Sequence, residues 1–71
     1  MAEMEVVRIG DREVKVRWRQ ARFREWLAWC YLPGSTMLHS EGVGFEARAE
    51  SPEAARKALV EKVEAYLARA A

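Results

Sequence analysis

The amino-acid sequence predicts an α+β fold: an antiparallel β-sheet of four to five strands in meander order, with one C-terminal amphipathic α-helix packed on one face. Three observations predict it. Trp26-Leu27-Ala28-Trp29-Cys30-Tyr31-Leu32 is an unbroken apolar run, bounded by Arg24-Glu25 before and Pro33-Gly34 after. Apolar and charged residues alternate strictly from Glu13 to Arg19. Ser51-Pro52-Glu53 then opens a stretch whose apolar residues recur at helical spacing.

Taken in order, Met4-Glu5-Val6-Val7-Arg8-Ile9 is a short strand. Gly10-Asp11 follows as a tight turn consistent with a hairpin. In the second strand Val14, Val16 and Trp18 face the core, while Glu13, Lys15, Arg17 and Arg19 face water. Gln20 to Glu25 contain neither Gly nor Pro and so do not indicate a turn type; one option is that the strand runs on through Arg22 and reverses near Arg24.

The apolar run is a strand rather than a helix because Trp and Tyr fit a pleated surface and Pro33 disfavours helical geometry at Leu32. Trp26, Ala28, Cys30 and Leu32 line one face; Leu27, Trp29 and Tyr31 line the other. Both faces are expected to be covered, one by the helix and the other by a second copy. Parity alone does not say which face lies under the helix.

Pro33-Gly34-Ser35 is a turn, Thr36 to Ser40 a candidate strand, and Glu41-Gly42 a reversal. In the next strand Val43, Phe45, Ala47 and Ala49 point inward and Glu46 and Arg48 outward, with Gly44 expected at a bulge or a close backbone approach. Ser51 caps the helix, Pro52 fits its first turn, and Glu53 complements the dipole. The helix should reach about Arg69. Ala55, Ala58, Leu59, Val63, Tyr66 and Leu67 form its apolar stripe, with Val60 at the edge and Lys57, Glu61 and Glu64 opposite. Glu53 and Lys57 have the spacing of a stabilising pair.

At 71 residues the chain is one small domain, and a domain of this size has marginal stability that a partner would support. Cys30 is the lone cysteine, which excludes an internal disulfide and a cysteine-based zinc site. The formal net charge of +1 gives no global pull toward nucleic acid or membrane. No secretory signal or spanning run is evident, so a cytoplasmic location and no membrane partner are expected. Asn is absent and Gln occurs once, as suits a thermophile or a GC-rich genome.

The layout resembles the N-terminal domain of HicB-like antitoxins. Trp29-Cys30-Tyr31-Leu32-Pro33-Gly34 is similar to that family's strand leading into Leu-Pro-Gly. Ser51-Pro52-Glu53-Ala54-Ala55, continuing to Val63-Glu64-Ala65-Tyr66-Leu67, is similar to its helix start and helix. The likeness covers roughly residues 13 to 67. It implies a truncated RNase H-like fold and a protein-binding module with a small toxin-like partner, without nuclease carboxylates. The sequence departs from the pattern in about ten extra residues before the helix, in Ala54 where an acid is usual, in an added first strand, and in ending without a DNA-binding tail.

Candidate chemistry is sparse. Arg12, Lys15, Arg17, Arg19, Arg22 and Arg24 face only Glu13 in sequence, with Trp18, Phe23 and Trp26 nearby. Lys15, Arg17, Arg19, Arg22 and Arg24 are the candidate nucleic-acid contacts. The competing interpretation, a solvated outer sheet face whose long stems cover apolar surface, is preferred. Cys30 with His39 as base and Glu41 as orienter would form a nucleophilic set, but a cysteine beside two tryptophans is expected to be buried and structural. His39 lacks companions for a metal site. The paired acids Glu61 and Glu64 belong to a solvated helix face, and Gly42-x-Gly44 is too short for a phosphate loop.

No catalytic residue, metal or cofactor is therefore expected. Leu27, Trp29 and Tyr31 are the expected self-interface. The expectation is a homodimeric, non-enzymatic protein-interaction module, HicB-like, with a small nucleic-acid-binding protein using strand 12–24 as the alternative.

Overall fold

The structure, a computed structural model, describes residues 3–32 and 42–70. The candidate strand Thr36 to Ser40, the turn at Pro33-Gly34, His39 and Glu41 lie outside the described residues. Strands β1 (Glu3–Ile9), β2 (Arg12–Arg22), β3 (Glu25–Leu32) and β4 (Val43–Ala49) are followed by helix α1 (Pro52–Ala70). The sheet is antiparallel in the order β1-β2-β3-β4, a meander. The α+β architecture expected from the sequence is the one observed.

The β1–β2 hairpin closes on the pair Ile9 and Arg12 through Gly10-Asp11. Gly10 takes φ 66° there, a conformation that costs glycine little. Its partner hairpin closes on Arg22 and Glu25 through Phe23-Arg24, with Arg24 at φ 60°.

Helix α1 starts as its cap predicts. Ser51 Oγ accepts from the Ala54 amide at 3.1 Å, and the Ser51 carbonyl accepts from the Ala55 amide at 2.9 Å. The first bond satisfies one of the amide groups that open a helix without partners, and the second is the first regular bond of the helix. Ala55, Leu59 and Val63 are fully buried in a core shared with Ile9, Val14, Val16, Ala28, Cys30, Leu32 and Ala47. Ala58, Val60 and Leu67 pack at its margin. Tyr66 is more exposed than its place in the stripe suggests; it lies edge-on to Phe45 with ring centroids 5.2 Å apart. Small residues at Ala28, Ala47 and Ala55 leave room for Leu59 and Val63 against the middle of the sheet.

Two expectations are corrected. Gly44 carries no bulge: β3 and β4 pair without a shift from Trp26–Ala49 to Leu32–Val43. A Cβ on Gly44 would meet only the Cys30 carbonyl, 4.0 Å away, so no close approach requires glycine there. The ion pairs among the described residues are Arg48–Glu25 and Arg56–Glu5; Glu53 and Lys57 do not form one. Among the described residues, the apolar strand β3 is covered by the helix on one face, as expected of a single chain.

Candidate functional site

The helix settles the two faces of β3. Ala28, Cys30 and Leu32 are buried beneath it, and Trp26 packs at the margin of the same core. Leu27, Trp29 and Tyr31 therefore point to the opposite, open face. Leu27 and Trp29 are half-buried by their neighbours and Tyr31 is 60% exposed. Met4 and Val6, 52% and 51% exposed, lie on the same face of β1.

Register places these side chains in rows. Arg17 of β2 stands between Met4 of β1 and Trp29 of β3, and Trp29 stands opposite Glu46 of β4. Arg19, Leu27 and Arg48 form the next row. Val6 lies opposite Lys15, and Tyr31 opposite Gly44. An apolar centre is thus interleaved with basic side chains.

A bulge adds one more cation. Gln20 pairs with Trp26 but Arg22 pairs with Glu25, so Ala21 is the extra residue. Uninterrupted alternation would turn Arg22 toward the side of Val14 and Val16. The extra residue instead turns it to the open face, in line with Lys15, Arg17 and Arg19. Six cations (Arg8, Lys15, Arg17, Arg19, Arg22, Arg48) share that face with three carboxylates (Glu13, Glu25, Glu46). Arg48 is held by Glu25 at 2.7 Å, which raises its already high pKa through the hydrogen bond first and the charge second. Arg8 stands opposite Glu13. Lys15, Arg17, Arg19 and Arg22 take part in neither ion pair seen among the described residues.

Arg24, the fifth cation of the sequence-derived set, sits apart. It occupies the hairpin tip with its guanidinium 5.4 Å from the centre of the exposed Phe23 ring. Of the three aromatics near the cations in sequence, Phe23 stays beside Arg24 and the two tryptophans leave the basic face. Trp18 and Trp26 turn toward the helix side, whereas Trp29 and Tyr31 share the basic face. Parity within β3 contained that signal, but only the β2–β3 register makes it readable.

The other candidates separate from this face. Cys30 is 5% exposed opposite Phe45, and burial pushes its thiol pKa up, away from the thiolate a nucleophile needs. Glu61 and Glu64 are exposed on the helix. The Gly42 amide donates to the Tyr31 hydroxyl at 2.9 Å. Among the described residues, no three His, Cys, Asp or Glu side chains cluster as a metal site would require, and no helix is long and apolar enough to cross a membrane. A cleft of about 140 Å³ lies between Glu3, Trp18, Pro52, Glu53 and Arg56, well below the roughly 300 Å³ at which small-molecule pockets begin.

Compared with protein-family models, curated proteins and solved structures, the chain matches none.

Proposed function

We propose that this chain is a non-enzymatic interaction module that works through the open face of its sheet. The carrying observation is the difference between the two faces. One is sealed by Ala55, Leu59 and Val63 of the helix. The other leaves Met4, Val6 and Tyr31 more than half exposed around Leu27 and Trp29. Exposed apolar groups gathered on one face, rimmed by charge, mark interaction surfaces. The meander-then-helix layout is compatible with a HicB-like domain, and a stand-alone antitoxin-type subunit with a small toxin-like partner is the specific form of this proposal.

Self-association through Leu27, Trp29 and Tyr31 belongs to it as a weak equilibrium. Four strands about 4.8 Å apart and some seven residues long at about 3.4 Å each offer on the order of 400 Å² of flat face. A stable interface takes roughly 800 Å² from each partner. Two copies face to face would also bring together like-charged rows.

Thermal melting and light scattering test the proposal together. Trp29→Thr should cost about 1 kcal/mol or less, as a half-buried cross-strand contact does, while Leu59→Ala should cost about 2–5 kcal/mol. The apparent mass of the wild type from light scattering should rise with concentration and that of Trp29→Thr should not. If Trp29→Thr melts the fold as severely as Leu59→Ala, the open face is structural and the proposal fails. A strict monomer at every concentration removes the homodimer alone.

A further inference from the structure

We infer that the open face binds single-stranded nucleic acid, with Lys15, Arg17, Arg19 and Arg22 on the phosphates and Trp29 and Tyr31 stacking on bases. This rests on the open-face proposal and gives that face an occupant other than a protein partner. Charge complementarity is the first argument. Four cations lie along one strand, with no ion-pair partner among the described residues. The bulge at Ala21 brings the fourth into line with the other three. Alternate residues of a strand are about 6.7 Å apart, close to the phosphate separation of an extended single strand. The row therefore matches a linear polyanion, and it would repel a second copy of itself.

Adjacent aromatics are the second argument. Trp29 stands directly opposite Arg17 on the neighbouring strand, and Tyr31 follows it on the same face. A base laid on either ring would have its phosphate over β2. The combination of a basic track with a parallel line of aromatic faces is what sequence-tolerant single-strand binding needs. Base edges within a duplex are out of reach of a flat sheet face, so the stacked part of a duplex is a poor ligand. The limited area also suits this occupant: a strand a few nucleotides long needs a strip, not the full area of a stable protein interface.

The test is fluorescence anisotropy with labelled oligo-uridylate and oligo-thymidylate, titrated with the full chain at several salt concentrations. The expected result is binding that weakens with salt, with a log–log slope near −0.7 for each phosphate neutralised. Arg17→Ala and Arg19→Ala should each flatten that slope by about one such step. Trp29→Ala should weaken binding by roughly five- to a hundred-fold with the slope unchanged. An oligo-glutamate peptide should compete poorly. Absence of binding at low salt overturns the inference, and the melting and scattering test still decides the open-face proposal. Equal binding by wild type, Arg17→Ala and Trp29→Ala overturns it by placing the contact elsewhere. Oligo-glutamate competing as well as RNA, with Trp29→Ala silent, overturns it in favour of an acidic protein.

Discussion

The indole Nε1–H of Trp18 donates to the Glu3 carboxylate at 2.8 Å, and the two residues are register partners at the end of the β1–β2 ladder. Trp18 packs its ring against the core yet keeps its one polar atom at the rim, as an amphipathic aromatic does. The bond ties the first residue of an edge strand to β2.

Glu3→Ala should therefore fray the start of β1. The bond is exposed, so the cost is near the low end for a hydrogen bond, about 0.5 kcal/mol. In a domain this size that is a fall of a few degrees in melting temperature. Glu3→Gln keeps an acceptor and should retain most of the stability. Equal melting of wild type and Glu3→Ala would show that the bond contributes nothing.

Arg24 carries a conformational cost at the β2–β3 turn. Its φ of 60° places a side-chain-bearing residue in the left-handed region, which costs roughly 1–2 kcal/mol. Its contact with the Phe23 ring offsets about 0.5–1 kcal/mol at an exposed site. Asn adopts this conformation readily. Arg24→Asn should accordingly raise the melting temperature by a few degrees. A fall instead would mean that the guanidinium–ring contact outweighs the backbone strain.

That turn also marks where the sequence stops being readable. The alternation from Glu13 to Arg19 and the Ser51 cap announce β2 and the helix because each rests on local chemistry: a period of two, and a hydroxyl placed to take an amide. Ala21 announces nothing. A bulge without Gly looks like ordinary strand, yet it decides which way Arg22 points. Gly44 had the residue type expected at a bulge and pairs regularly. The unbroken run from Trp26 to Leu32 suggested cover on both faces, and hydrophobicity along one strand does not say which face lies under the helix. Which aromatics accompany the cations follows from register across two strands, so nearness in sequence pointed to Trp18, Phe23 and Trp26 instead of Trp29 and Tyr31.

Tyr31 is held in place from the far side of the β3–β4 connection. Its hydroxyl accepts from the Gly42 amide at 2.9 Å. A Cβ on Gly42 would run into the Tyr31 ring and the Leu32 carbonyl. Gly42→Ala should displace the ring, because a backbone carbonyl cannot yield as a side chain can. Tyr31→Phe should cost about 0.5–1.5 kcal/mol at most for the lost bond. In NMR spectra, Gly42→Ala should move the Tyr31 ring resonances more than Tyr31→Phe moves those of its neighbours. Unchanged Tyr31 shifts in Gly42→Ala would show that the ring is not set by this glycine.

Cys30 makes stability depend on alkaline pH. Its buried thiol has a pKa raised by desolvation above that of the unfolded chain, where a free cysteine titrates near about 8.5. Above that pH the unfolded chain gives up a proton that the folded chain retains. The folded state then binds more protons, and stability falls as pH rises. The contribution is complete below about pH 8.5 and is lost as pH climbs through the raised folded value. Cys30→Ala should be less stable near neutrality because it removes a buried sulfur, but its loss of stability on going alkaline should be shallower than that of the wild type. Urea melts of both proteins across this range measure the difference directly, and subtracting one from the other cancels what the two proteins share. Parallel curves would mean that the thiol meets water in the folded state and is not sealed beneath the helix.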